Sequence, residues 1–534
     1  MKEKKRISIL EPGTLTLGIL LSILSAVICM QIMGQFGIAP NTSLISAVLV
    51  MIVARIPMTI TQKFRNLERQ NYTLSFASSA GFAAANCGFV SIAVVFIMGR
   101  TDLMIPMAFG SLIGSMISIF ITGKIFDSKI FPAKGPYWPL GTAIASSLDA
   151  GDEGGKKGIQ LLQGLIVGAI ASFFGIPAAG VGIVFIANVV AMAALGLGIV
   201  LRGYSTLFFN GFDIGRSNIP QGMMIGAGII AFIQIFLVIL KRVPVRRKKA
   251  ASDLDLQSNK KTDPDTEAEY TISDSAAKKT MISSGLLFII GAVITALVMG
   301  VFSEMSPGQS ILWVIFAGIA SLVVMILVGT VSMRSGWAPT FAVVTVCITI
   351  GVLMGFPPLP MAVLAGYLGS IGPCLADTGI GLKSGWIIRG SGTDRAVELY
   401  GRKQQVLIKQ LGAVIGIAVA VIFGTMLIHS DIVPPMSIFY ADTVTSATDS
   451  TLLLELALWA IPGAVLQAAF GNKSVGLMLA TGMLINNPVF GISVLAAVGF
   501  RLVIGTKHMT VRAPGLIAGD GLFGFAANVF RMFF

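Results

Sequence analysis

The chain reads as an all-α polytopic membrane protein, and three observations say so. Of its 534 residues 55% are hydrophobic and only 12% are charged, against about 25% charged in ordinary soluble domains. Apolar runs of about 17–25 residues recur from end to end, each long enough to cross a hydrocarbon core of roughly 30 Å. The net charge of +13 falls mainly in the loops between these runs, which is the bias that orients membrane helices. Nucleic-acid binding is therefore excluded as the meaning of the basic charge, and no stretch remains for a soluble catalytic domain.

Taken in order, the first half predicts spans near 14–33, 42–60, 72–98, 103–124, 158–174, 179–200 and 219–240. Met1 to Arg6 is basic, and the run from Leu15 to Met33 is too long for a cleavable leader, so it is expected to stay as the first span. With a cytoplasmic N-terminus, Lys63, Arg65 and Arg69, and then Lys124, Lys129 and Lys134, fall inside. Seven crossings would then put the basic cluster from Lys241 to Lys249 outside, so an eighth crossing or a re-entrant pair is expected. Tyr137–Leu148 and Tyr204–Asn218 are the candidates. Residues 241–280 carry ten Lys or Arg and seven Asp or Glu, with Pro244 and Pro264, and predict a flexible cytoplasmic linker between two membrane halves, 1–240 and 281–534.

The second half predicts spans near 281–303, 309–330, 337–355, 357–376, 404–428, 451–469, 473–486, 488–506 and 514–532. The loop 429–450 has Asp431, Asp442 and Asp449 but no Lys or Arg and is expected outside. Asn486, Asn487 and Pro488 suggest a broken or re-entrant pair. A weak internal repeat relates 154–175 to 401–424: each opens on a basic pair, continues to a Gln and carries a GxxxG pair, Gly164 with Gly168 and Gly412 with Gly416. Such pairs pack helices, and duplicated halves with interrupted segments are also the mark of secondary transporters.

The unusual residues concentrate between Leu364 and Gly416. Gly366, Gly369, Gly372 and Pro373 predict an interrupted backbone, followed by Asp377, Lys383 and Ser384 among Gly379, Gly381 and Gly385. Irregular backbone at membrane depth is tolerated where it lines a cavity, and an ionisable residue beside it is costly. A carboxyl group in dehydrated surroundings holds a proton more readily, and an approaching ammonium reverses this. Asp377 with an alternating partner, Lys383, could thus carry a proton; the plainer reading is a satisfied carboxylate and a basic anchor. Asp520 is the second candidate, Glu455 a candidate entrance charge, and Asn86 a polar group at membrane depth. Arg55 and Arg501 are expected to snorkel.

Other chemistries fail on spacing. In GIGLKS, 379–384, the lysine does not follow the second glycine as a phosphate loop needs. His429 and His508 are far apart, and no HExxH or GxSxG is present. Cys29, Cys87, Cys347 and Cys374 lie in apolar runs without CxxC spacing, so neither a disulfide framework nor a zinc site is expected. No enzyme, cofactor or resident metal is expected.

Four motifs in order carry a resemblance. Arg69-Gln70-Asn71-Tyr72-Thr73 resembles a polar helix entry. Tyr137 to Ala143, YWPLGTA, resembles a YPSGTATA segment. Ala376-Asp377 through Lys383-Ser384-Gly385, with Arg402, Gln405 and Gln410, resembles an ADLMQDLKTG element. Ala513 to Gly521, APGLIAGDG, resembles a closing APxxxSGLIxGDG. These are motifs of the oligopeptide transporter superfamily, which includes the yellow-stripe-like metal-chelate carriers. The chain departs where Gly379-Ile380-Gly381 replaces a second acid and where Leu140 replaces the serine.

The resemblance implies about sixteen membrane or re-entrant segments in two repeated halves. It also implies a secondary active importer of small peptides or metal-chelator complexes, with proton symport, and compact loops suggest the cytoplasmic membrane of a prokaryote. A channel or pore-type facilitator is the alternative. The expected substrate or coupling residues are Asp377, Lys383, Ser384, Asp520, Asn86, Glu455 and Gln70, with Gly141, Thr142, Gly379 and Gly381 as helix breaks lining a cavity. The expected partners are the bilayer and a small-molecule cargo, with a homo-oligomer left open. There is no His or Cys cluster for a bare ion, so a metal cargo would enter wrapped in its ligand.

Overall fold

In hydrocarbon a backbone can satisfy its own hydrogen bonds only as a helix or a closed barrel. The computed structural model describes residues 9, 11–36, 43, 46–47, 50–51, 66–153, 155–240, 270–336, 338–445, 450–470, 473–506, 508–509 and 511–533. Among them no strand forms beyond one bridge between Phe126 and Phe131. The first half gives α1 (Pro12–Phe36) and α2 (Leu67–Phe82), which continues through a π-helical stretch, Ala83–Phe89, into α3 (Val90–Ile97). Then follow α4 (Met104–Ile125), α5 (Pro139–Glu153), α6 (Gly155–Phe173), α7 (Ala178–Ile186), α8 (Val189–Phe208) and α9 (Ile219–Leu240).

The second half gives α10 (Asp274–Val298), α11 (Pro307–Ser335), α12 (Thr340–Leu353), α13 (Pro358–Ile388) and α14 (Arg395–Val419). A second π-helical stretch, Ala420–Gly424, leads into α15 (Thr425–His429). The chain ends with α16 (Pro435–Thr445), α17 (Ser450–Phe470), α18 (Val475–Leu484), α19 (Pro488–Ile504) and α20 (Arg512–Phe533). Among the described residues eight helices are long and apolar enough to cross a membrane.

Local sequence sets the boundaries. Asn66 caps α2 by accepting from the Glu68 and Arg69 amides at 3.0 and 3.2 Å, and Asp394 caps α14 through Ala396 and Val397 at 2.9 and 3.1 Å. Ser306 and Gln309 form a reciprocal capping box at the start of α11, which stops at Gly336 in the left-handed region, φ 73°. Large apolar residues left exposed recur every four positions, as at Ile311, Ile315 and Ile319 of α11 and Leu162, Ile166 and Ile170 of α6. Such stripes are lipid-facing.

The fold corrects several expectations. The interruption expected near Pro373 does not occur: α13 is one continuous helix, buried at every residue from Leu359 to Trp386. The predicted span 179–200 is instead two helices, α7 and α8, broken at Ala187–Asn188, where Asn188 caps α8. Of the two hidden-segment candidates, Tyr137–Leu148 forms most of α5, whereas Tyr204–Asn218 is the end of α8 and a short 3₁₀ turn. The expected break after 484 separates α18 from α19, with Asn487 capping α19 through Phe490 at 3.0 Å.

The loop 429–450 contains α16, whose Ser437, Phe439, Tyr440 and Val444 are buried. Its SIFY core is apolar enough to bury. The linker expected over 241–280 ends early, because Ser273 caps α10; residues 241–269, and most of the span 42–60, lie outside the described residues.

The sequence halves share one core. Helix α2 packs on α14, α4 on α13, α6 on α20, α8 on α18 and α9 on α17. The repeated GxxxG pairs make two of these contacts. A Cβ at Gly412 or Gly416 would lie 2.6 or 2.2 Å from the carbonyls of Phe76 and Ala80, and one at Gly164 or Gly168 would lie 2.2 or 2.4 Å from those of Arg512 and Leu516. In each, two glycines four apart admit two backbone carbonyls four apart.

Candidate functional site

Helix α13 brings Asp377 to the centre of the bundle, and α14 supplies its partner. Lys409 Nζ donates to Asp377 Oδ2 at 2.5 Å, with the aspartate 1% and the lysine 0% exposed. Oδ1 accepts from the Ser78 hydroxyl and from that of Ser43 at 3.1 Å. A buried charge pair is tolerable when its remaining valences are satisfied in this way.

Lys409 is the partner of Asp377 that the sequence did not single out. The signal was present: Glu398, Arg402, Gln405 and Lys409 recur at four, three and four residues, which is one face of a helix, and all are buried. Along that face Glu398 accepts from Arg389 at 2.7 and 3.1 Å and from Arg402 at 3.0 and 3.2 Å. Gln405 accepts from Arg389 at 3.0 Å and donates to Ser75 at 2.9 Å and to the Gly381 carbonyl at 2.5 Å. A column of buried polar groups therefore leads from Glu398 to Asp377.

The base of the column holds the start of the second half in place. Arg402 donates to the Phe126 carbonyl at 2.8 Å and to the Thr271 hydroxyl at 2.7 Å. Asp127 accepts from the Thr271 hydroxyl at 2.8 Å. The segment before α10 is thus clamped to the loop between α4 and α5.

Lys383, expected as an alternating partner of Asp377, stands apart from it in this conformation. Its ammonium donates to the Ala133 carbonyl and to that of Gly135 at 3.3 Å, and lies 4.8 Å over the Trp386 ring. Ser384, on the column face, donates to Asn71 at 2.7 Å.

Gly379 and Gly381 are not helix breaks. They are seats on a continuous helix: a Cβ at Gly379 would lie 2.2 Å from the Trp138 ring, and one at Gly381 would lie 2.6 Å from Lys409 Cε. Likewise Gly141 lies in the first turn of α5, where its missing side chain lets α5 approach the Ile380 carbonyl. Thr142 is exposed on the same turn. None of these four lines the cavity described next.

The flank of α13 next to Asp377, where Pro373 sits one turn before it, walls a cavity of about 350 Å³ through Gly369, Pro373, Ala376 and Ile380. Pro373 has no N–H, so the Gly369 carbonyl lacks its usual intrahelical donor on that wall. Both sequence halves contribute to the lining, Asn86, Asn188 and Gln234 from the first and Tyr440, Gln467 and Thr481 from the second. Asn86, in the π-helical stretch, has a buried Nδ2 without a hydrogen-bond partner among the described residues. In the lining, Gln467 donates to Gln234 at 3.2 Å.

The remaining candidates lie elsewhere. Asp520 is buried and accepts from the Ala179 amide at 2.6 Å, which caps α7. Glu455 is exposed and accepts from Asn218 at 2.7 Å. Gln70 is buried in the first turn of α2, and its Oε1 has no partner among the described residues. The four cysteines are buried and free.

No curated protein matches the chain. The family model described as OPT oligopeptide transporter protein matches residues 13–210, so the superfamily resemblance read from the motifs holds over that stretch, on a chain whose helices are those of a multi-pass membrane protein.

Proposed function

We propose that the protein is a secondary active transporter that imports small peptides or metal-chelator complexes across the cytoplasmic membrane of a prokaryote, driven by proton symport. The observation that carries this reading is the position of α13, with the cavity along one flank and the buried Asp377–Lys409 pair on the neighbouring one, Pro373 and Asp377 being one turn apart. A solute that fills the cavity pushes on the same helix that holds the carboxylate. If α13 shifts, the contact between Lys409 and Asp377 breaks, and both buried charges need new partners. One helix thereby links solute occupancy to the state of the pair, and the coupled proton is assigned to that step.

The test is uptake by reconstituted vesicles of radiolabelled tripeptides and iron chelates under an imposed inward proton gradient. Saturable accumulation that collapses with the gradient is expected for at least one of the two cargo classes. Unitary currents without gradient-driven accumulation would replace the carrier with a channel.

A further inference from the structure

We propose that the cavity is a charge filter, in which Arg334 and Lys473 select solutes of net negative charge, carboxylate-bearing molecules with amide groups, and exclude cations. The inference deepens the transport reading and rests on it for the solute's onward passage. Among the described lining residues Arg334 and Lys473 are the charged ones, and no Asp or Glu accompanies them. Both are exposed, and neither enters an ion pair with a described residue. Two uncompensated cations on low-dielectric walls attract anions and repel cations over the whole cavity. A topological anchor would need only to reach the headgroups, whereas these two line the cavity.

Donor groups without partners add to the charge. Ser474, at the start of α18, has φ 56° and makes no capping hydrogen bond, so the first N–H groups of a ten-residue helix beside Lys473 have no side-chain acceptor. Thr340, 7% exposed, lines the same cavity with an Oγ1 that has no partner among the described residues. The unpartnered Asn86 Nδ2 is a further donor. Cations and unpaired donors on one wall system call for a ligand rich in acceptors, and carboxylates are the strongest available.

The test reads cavity charge without depending on transport. Cysteine is placed at Thr481 or Ala187, both half-buried in the lining, and the unmodified chain reports the native thiols. The purified protein is reacted with a sulfonate-bearing and a trimethylammonium-bearing methanethiosulfonate, each rate being divided by that reagent's rate with a free thiol. The anionic reagent should react on the order of tenfold faster. Arg334→Gln with Lys473→Gln should remove the preference, and Arg334→Lys with Lys473→Arg should keep it. Protection by Glu-Ala-Glu but not Lys-Ala-Lys is expected; Ala-Ala-Ala and citrate, run alongside, tell whether peptide amides or carboxylates alone suffice.

Equal or faster reaction of the cationic reagent, a preference that survives the double Gln variant, better protection by Lys-Ala-Lys, or no reaction at either position would each overturn the filter. The two readings fail separately. Anion preference without gradient-driven uptake leaves the filter and removes the transporter, and cation preference with such uptake does the reverse.

Discussion

At the scale of single residues, the ion pair decides how the protein must be probed. Asp377→Asn alone strands the Lys409 ammonium in a site that is 0% exposed, and breaking a buried pair on one side costs about 3–5 kcal/mol. Poor folding of that variant would therefore say nothing about coupling. Replacing both partners, Asp377→Asn with Lys409→Met, removes the stranded charge and should recover most of the thermal midpoint. The double variant is expected to exchange labelled cargo across vesicle membranes yet fail to concentrate it under a proton gradient; accumulation that persists would remove the pair from the coupling mechanism. Glu398 is a second such point, because among the described residues it alone bonds both Arg389 and Arg402. Glu398→Gln should cost about 3–5 kcal/mol by the same argument, read as a lowered unfolding midpoint, and a loss below about 1 kcal/mol would mean that Gln405, Thr271 and the Phe126 carbonyl suffice for the guanidiniums.

At the scale of elements, close approach matters more than interruption. The glycines of α13 looked like breaks because glycine and proline are the usual punctuation of helices. Burial explains the error, since most glycines of this buried helix mark where neighbours press in, as the Trp138 ring does on Gly379, while Gly369 faces the cavity with nothing within 4 Å. The GxxxG pairs were legible as packing motifs, and the carbonyls they admit could be learned only from the fold. Gly416→Val should separate α14 from α2, because its Cβ would meet the Ala80 carbonyl at 2.2 Å; the expected outcome is lost folded yield on size-exclusion chromatography. Gly499→Ala, with nothing within 4 Å, should elute as the parent does. Equal behaviour of the two would refute the seat.

At the scale of the whole molecule, the halves interleave, so orientation is a property of the entire bundle. The loop charges predict that the 241–269 segment lies inside and the chain just before α17 outside. A cysteine at Ser258 should resist an impermeant thiol reagent in intact cells, and one at Ser446 should react. The opposite pattern would invert the bundle, and with it the face from which solutes reach Arg334 and Lys473.

By itself the sequence determined the class and most of the spans and singled out Asp377 as a candidate, because hydrophobic length, loop charge and a carboxylate among apolar residues are local quantities that bilayer physics reads directly. The polar face of α14 was also there to be read, in the spacing of Glu398, Arg402, Gln405 and Lys409. Only the tertiary structure decided which lysine meets the aspartate. Lys383 is six residues from Asp377 in the chain but bonds the loop carbonyls of Ala133 and Gly135, whereas Lys409 is thirty-two residues away and makes the pair. Sequence separation carries no information about that choice. It is set by the packing of α14 against α2 and α13, which seats one ammonium over Gly381 and leaves the other on the opposite side of a helix with no break in it.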